Sequence, residues 1–362
     1  MKSLTSLFSR KDTQPMAGVD VSATSIKLVE LSQARSGGYA LECCAIEPLE
    51  RGWIEDGNIE NFDAVVAAFR RVVKSSGTSA RRVALALPMS VVSTKKIQLA
   101  SGFSELEMEA QVESEASQYI PFPLEEVSLD FYVMGSASGD ADDGADVDVL
   151  LAAARKDKVE DRQALAEDAG LSVGVIDVDM FASRLAALHT ISHLRLGAKN
   201  IVAVFQIGAG STTVQVLRDG EAVYERELGF GGNQLTESMT RQYGFTLQEA
   251  ETKKRLGDVP KDFETTLVPE FVDNVSGEVA RALQLFLTST VYGRVDHILL
   301  AGGSSVVPGL DVQISRQSGY PTSVLDPFEG MRIGKGVRQR RLDQEAPSYL
   351  TACGLAMRRF QE

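Results

Sequence analysis

Two stretches of this chain repeat one another. Residues 17–31 read AGVDVSATSIKLVEL and residues 203–217 read AVFQIGAGSTTVQVL, at a constant offset that sets Ser22-Ala23-Thr24-Ser25 on Gly208-Ala209-Gly210-Ser211 and Lys27 on Thr213. Each copy is an apolar run, a small-residue turn and an alternating run, the pattern of a β-hairpin. Further strand-like text follows each, at 39–46 and 222–228, as in an antiparallel meander. An internal duplication of one α/β domain type predicts two lobes. The length of 362 residues agrees, because single hydrophobic cores stop growing at roughly 250–300 residues.

Between the copies the spacing predicts a helix over 62–75, a short buried strand over 83–87 ending at Pro88, and a helix from the Ser104/Glu107 capping box to Ile120, halted by Pro121 and Pro123. Strands over 127–134 and 147–154 flank the acidic stretch GSASGDADDGAD, a strand over 171–178 follows, and then a helix over 181–196. The expected division is a tail at 1–15, a first lobe from 16–95, 173–199 and 336–362, an insertion at 96–172, and a second lobe at 200–335 with a helical part at about 235–293.

A net charge of −13 argues against nucleic-acid binding, which requires a positive face. The basic run at 335–341 (KGVRQRR) reads as a solvated segment, with a partner or membrane-surface contact as the sharper alternative. Cys43, Cys44 and Cys353 offer neither a metal spacing nor a disulfide framework, and a cytoplasmic location is expected. The start, with Leu4, Leu7 and Phe8, is too short an apolar run for a signal peptide, and no run of 18 or more apolar residues occurs. The acidic stretch reads as a solvated hairpin tip rather than a calcium loop, since Gly144 misses the EF-hand position and no glutamate closes it. His189 and His193 share a helix face, but without an identifiable third ligand they read as ordinary histidines.

Small-residue turns concentrate hydrogen-bond donors and let a phosphate approach the backbone. Two of them at matching places imply a cleft with a loop from each side. Asp20 ends the first strand, where it would hold magnesium through water or orient a water molecule. Its counterpart Gln206 carries no charge, which puts hydrolysis in doubt. A third element, DHILLAGGSS at 296–305, runs a buried strand into Gly302-Gly303, as strand-turn-helix nucleotide sites do.

The ordered set DVSATSIK (20–27), QIGAGSTT (206–213), GGNQLT (231–236), AETKK (250–254) and LAGGSS (300–305) resembles the actin-like ATPases. Within them it resembles the FtsA-like branch and, most specifically, the PilM family of type IV pilus assembly proteins, from about residue 16 onward. The resemblance implies an actin-like (ribonuclease H-like) two-lobe fold with a central nucleotide cleft and an FtsA-type inserted subdomain. It implies ATP and magnesium as cofactors, with the phosphates held by Asp20, Ser22, Ala23, Thr24, Ser25 and Lys27 and by Gly208, Ala209, Gly210, Ser211 and Thr212. Glu251 and Lys254 would meet the ribose and base, and Gly302, Gly303 and Ser304 would lie beneath the nucleotide. Where the family usually has aspartate, this chain has Gln206, so binding is expected and turnover weak or absent.

The same resemblance implies docking of the cytoplasmic tail of PilN between the insertion and the first lobe, with Phe103, Tyr119, Ile120 and Phe122 as candidate pocket residues beside their ordinary core reading. Other inner-membrane platform proteins and motor ATPases fall within the expected partner set, at a site peripheral to the inner membrane. The chain stops at MRRFQE after a helix over 349–360, so membrane recruitment is expected through a partner. Two other classes share the superfold. A sugar kinase or polyphosphate hydrolase needs a positioned carboxylate base, and none is evident after the first lobe's strands. A filament former leaves no sequence signature either way.

Overall fold

The computed structural model describes residues 14–361 apart from 35–36, 137–145, 195 and 197–198. The acidic hairpin tip and the residues Leu4, Leu7 and Phe8 therefore lie outside the described residues. The chain opens with strands β1 (Met16–Val21), β2 (Ser25–Gln33) and β3 (Tyr39–Pro48), then a small hairpin, β4 (Ile54–Glu55) and β5 (Asn58–Ile59). Helix α1 (Phe62–Ser76) and strand β6 (Arg82–Leu87) follow. Next come β7 (Val92–Leu99), α2 (Glu105–Tyr119), β8 (Val127–Ser136), β9 (Val147–Arg155), α3 (Lys156–Asp168), β10 (Ser172–Val178) and α4 (Asp179–His193).

The second half repeats the opening with β11 (Ile201–Ile207), β12 (Thr212–Arg218) and β13 (Glu221–Leu228). It continues with α5 (Asn233–Tyr243), α6 (Leu247–Leu256), α7 (Phe263–Ser289), β14 (His297–Ala301), α8 (Leu310–Ser318), β15 (Thr322–Val324), β16 (Arg332–Ile333), α9 (Gln339–Glu345) and α10 (Leu350–Met357).

The strands form a six-stranded sheet in the order β10-β6-β1-β2-β3-β16 and a five-stranded sheet in the order β13-β12-β11-β14-β15. The duplication holds at the level of register. Asp20 pairs with Lys27 across β1/β2, and Gln206 pairs with Thr213 across β11/β12.

Strand alternation divides the side chains of each sheet between two cores. In β11, Ala203, Phe205 and Ile207 enter an outer core against α5 and α7, while Val202 and Val204 enter an inner core. From the first sheet Val29, Leu31 and Leu41 enter that same inner core, together with Cys353 and Ala356 of α10 and Ala186 and Ala187 of α4. The two helices are thus held between the sheets, which is why strands buried on both faces read as continuous apolar runs. Contact is close at two glycines. A Cβ on Gly18 of β1 would collide with the Ala352 carbonyl of α10, and one on Gly354 of α10 with the Ala182 carbonyl of α4.

The three-stranded sheet β7-β9-β8 carries its own small core with α2, built from Ile97, Met108, Val112, Val149 and Leu151. Two elements depart from the expected boundaries. Helix α3, expected within the insertion, buries Leu165 and Ala166 in the core under the first sheet, and strand β16, expected in the second lobe, pairs with Ala40 and Leu41 of β3. Neither was readable locally. The surface of α3 is highly charged, and β16 is two residues long.

Candidate functional site

Both duplicated turns close with the same backbone bond. Ser22 N donates to Ser25 O at 3.1 Å, and Gly208 N donates to Ser211 O at 2.9 Å. In the first turn Ser22 Oγ also donates to Ser25 O at 2.9 Å, and Thr24 O accepts from Leu49 N at 2.9 Å. Ala23 at the tip is exposed. Lys27 Nζ lies 2.9 Å from Asp20 Oδ2 and 3.1 Å from Ser22 Oγ, so one lysine neutralises the strand-end carboxylate and braces the turn.

The second turn is cradled by two other loops. Gly232 N donates to Gly208 O at 2.9 Å, Asn233 N to Ala209 O at 2.8 Å, and Ser304 Oγ to Gly208 O at 3.2 Å. Four glycines are dictated by close approach of backbone or side chain here. A Cβ on Gly231 would meet Ala209 O at 2.6 Å, one on Gly208 would meet Ser211 O at 2.9 Å, and those on Gly232 and Gly302 would strike Ser304 Oγ and the Ile207 backbone. Gly302 also sits at φ 86°, where side chains are strained.

Gly210 and Gly303 are different. A Cβ at either would meet nothing closer than 3.7 Å (Asn233 Nδ2) and 3.6 Å (Ser348 Oγ) respectively, and both residues are exposed. Protein packing therefore does not require glycine at these two positions. Close approach of a ligand to bare backbone would.

Glu251 and Lys254, one helical turn apart on α6, reach the same loops. Lys254 Nζ donates to Thr236 Oγ1 at 2.6 Å and to Gly232 O at 3.3 Å, and lies 2.6 Å from Glu251 Oε2. Thr236 Oγ1 donates to Glu251 Oε2 at 2.8 Å. Burial works to raise the Glu251 pKa, but the Lys254 charge and these hydrogen bonds outweigh it and hold the carboxyl below its usual value.

The hairpins straddle one helix. Gly18, two residues before Asp20, abuts Ala352 of α10, and Gln206 Nε2 donates to the neighbouring Thr351 Oγ1 at 3.0 Å. Gln215 Nε2, from β12, donates to Met180 O of α4 at 3.1 Å. Both strand ends thus meet the paired helices between the lobes.

Two further groups stand near these strand ends. Thr212, read as a phosphate ligand, is fully buried, and its Oγ1 donates to Phe230 O at 2.8 Å; that hydroxyl fixes the turn to the following loop. A carboxylate does follow the first lobe's strands. Asp179, immediately after β10, accepts from Met89 N at 3.0 Å and Met180 N at 2.6 Å. Burial first, and then the charge of Asp20, push its pKa up to about 7, with Glu227 adding to the rise. The buried Arg162 of α3, whose guanidinium donates to Gly57 O at 3.2 Å, lies in the field of both aspartates. Asp179 lies in IDVDM at 176–180, where nothing local distinguishes it from a helix-opening acid.

His189 and His193 spend ring nitrogens on the carbonyls of Glu329 (3.0 Å) and His189 (2.9 Å). Among the described residues no cluster of three or more His, Cys, Asp or Glu is arranged to hold a metal, and no helix is long and apolar enough to cross a membrane. On the insertion Phe103, Tyr119 and Phe122 are exposed, Tyr119 beneath the Lys95 ammonium and Phe122 beneath Arg155, while Ile120 packs on the local core.

Two duplicated meanders, each opening on a small-residue turn and joined across a helix pair, define a protein of the actin-like ATPase fold. A family model described as type IV pilus assembly protein PilM matches residues 18–360. The chain belongs to that family. Its structure is similar to that of a solved PilM-PilN type IV pilus biogenesis complex, with a TM-score of 0.77 and 28% identity over 96% of this chain and 99% of that one. It shares its fold with the ethanolamine utilization protein EutJ from Carboxydothermus hydrogenoformans, with a TM-score of 0.55 and 15% identity over 94% and 88% of the two chains. Cell division protein FtsA of Agrobacterium fabrum is 23% identical over 228 residues, 58% of this chain and 50% of that protein, so the match spans half the length of this curated relative.

Proposed function

We propose that this chain is an ATP-binding, actin-like component of type IV pilus assembly that works on the cytoplasmic face of the inner membrane and docks the cytoplasmic tail of PilN. The observation that carries the nucleotide reading is the pair Gly210 and Gly303, glycines that no protein contact demands, in loops that meet at Gly208. The phosphates would be held by the 22–25 and 208–211 turns, with Lys27 as their cation. Glu251 and Lys254 would contact the ribose and base, with Gly302, Gly303 and Ser304 beneath. Because Lys27 already engages Asp20, magnesium would be carried chiefly by the nucleotide and reach Asp20 through water.

Bound ATP supplies the differential free energy that favours closure of one lobe on the other. Gln206, committed to Thr351, offers no charge for activating water, which supports weak or absent turnover. The PilN reading rests on family membership and the similarity to the PilM-PilN complex, and on the exposed Phe103, Tyr119 and Phe122 of the insertion. A groove between insertion and first lobe would take the tail as an extended peptide. The division into first lobe, insertion and second lobe belongs to the same reading, with α3 counted in the first lobe on its packing.

The test is a calorimetric titration of a PilN tail peptide into the protein, with and without ATP and magnesium. Saturable binding with a nucleotide-dependent affinity is expected. Absence of peptide binding in both conditions would remove the docking function.

A further inference from the structure

The first sheet has a recessed open edge. Strand β16 covers only Ala40 and Leu41 of β3, and the bond from Gly334 N to Leu41 O at 2.7 Å is the last before the chain turns away. Among the described residues no strand pairs with the outer side of β3 over residues 43–48. An unpaired edge is ordinarily covered, shortened or charged, because its free N–H and C=O groups accept another strand. Here the edge lies in a slot. Ser75 and Ser76 at the end of α1 form one wall, and Val337, Leu342 and Tyr349 form the other, around a cavity of about 480 Å³.

Shape and charge select the occupant. A second folded copy would have to bring its own edge past both walls, whereas an extended chain enters a slot readily and adds as a strand. Both acids in the lining are neutralised, Glu47 by Arg71 at 2.6 Å and Glu345 by Arg341 at 2.9 Å. Among the described residues the Arg338 guanidinium, which lines the slot, has no hydrogen-bond or ion-pair partner, and the exposed side chains of Lys335 and Arg340 in the same segment have none either. Positive charge is thus left over beside the slot on a chain whose net charge is −13. The N-terminal residues 1–13, with Lys2, Arg10 and Lys11 against Asp12, carry the wrong sign to fill it.

We propose that this slot binds an extended acidic segment of a partner protein, which adds as a strand to the free edge of β3 and places carboxylates against Arg338. The site lies at the opposite edge of the sheet from β10 and shares no residue with the nucleotide loops, so it stands or falls independently of the function proposed above.

The probe is a fluorescent, end-capped (Glu-Val)4 peptide, with (Lys-Val)4 as its charge-reversed control, titrated into the full chain and followed by anisotropy and by hydrogen exchange of the amides within 43–47 that face away from β2. Saturable binding of the acidic peptide is expected, with slowed exchange at those outward amides and no binding of the basic one. Arg338→Glu, an exposed change that leaves the fold intact, should weaken binding at least tenfold while PilN-tail and ATP affinities stay as in the parent. Equal binding of the two peptides, no binding of either, or unaltered exchange at the outward amides would overturn the proposal. So would protection of those amides before any peptide is added, which would make the chain's own tail the occupant. Arg338-dependent binding to phosphatidylserine vesicles without peptide binding would likewise overturn it, in favour of a membrane contact.

Discussion

Gln206 Nε2 donates to Thr351 Oγ1 at 3.0 Å, tying the end of β11 to α10 between the lobes. An amide serves this tie by donating. A carboxylate would reverse it, accepting from the threonine hydroxyl and adding a charge beside the duplicated turns. Gln206→Asp is therefore expected to raise phosphate release from ATP by roughly tenfold or more, the lower end of what a positioned base contributes being about a hundredfold. Steady-state phosphate release measures this, and a rate equal to the parent's would mean that turnover is limited elsewhere.

The glycines separate into two classes that should respond differently to substitution. A Cβ at Gly303 or Gly210 would meet no protein atom closer than 3.6 Å, so in Gly303→Val and Gly210→Val melting temperature should hardly change while ATP affinity falls at least tenfold. Gly208→Val strikes the Ser211 carbonyl within its own turn and should lower stability as well. Paired thermal melts and ATP titrations distinguish the two. Parental ATP affinity in Gly303→Val would contradict the assigned floor of the cleft.

Lys254→Ala removes the ammonium that neutralises Glu251 and bonds Thr236 and Gly232. The freed carboxylate would then face the proposed ribose and base site unneutralised. ATP affinity is expected to fall about tenfold, and the Glu251→Gln/Lys254→Ala pair should recover part of it. Competition titrations with a fluorescent ATP analogue measure both, and an unchanged affinity would place the adenosine elsewhere.

Asp179 gives a pH signature. Its pKa, 3.8 when unperturbed, is pushed up to about 7 by burial and by Asp20, so between those values the folded chain holds a proton that the unfolded chain has released. Stability contributed by this group is accordingly present at low pH and lost as pH rises toward 7. Asp179→Asn keeps an oxygen for the Met89 and Met180 amides without the charge. It should stabilise the protein at pH 8 by a few kcal/mol, since each tenfold change in proton affinity is worth ~1.4 kcal/mol, and the gain should vanish as pH falls toward 4. Urea melts across that range measure it, and a gain independent of pH would contradict the assignment.

Much of this was legible in the sequence because the duplication repeats local rules. The turns at 22–25 and 208–211, the Ser104/Glu107 capping box and the Gly302 bend each follow from residues close in sequence, and each has its expected geometry. What escaped depends on distant partners. Thr212 is buried because Phe230 O waits eighteen positions away, and α3 belongs under the first sheet because Leu165 and Ala166 find Phe69 and Val72 there. Asp179 owes its raised pKa to burial and to Asp20, across the fold. The basic run at 335–341 carried no local hint that it borders an open strand edge, since β3 lies some three hundred residues earlier in the chain.

The most direct measurement is a calorimetric titration of ATP with magnesium into the full chain and into Gly303→Val under the same conditions. One ATP bound per chain, with heat lost or affinity reduced at least tenfold in the variant, is the predicted result. No saturable binding of ATP to the parent chain, or identical isotherms for the two proteins, would contradict a nucleotide held between the paired turns.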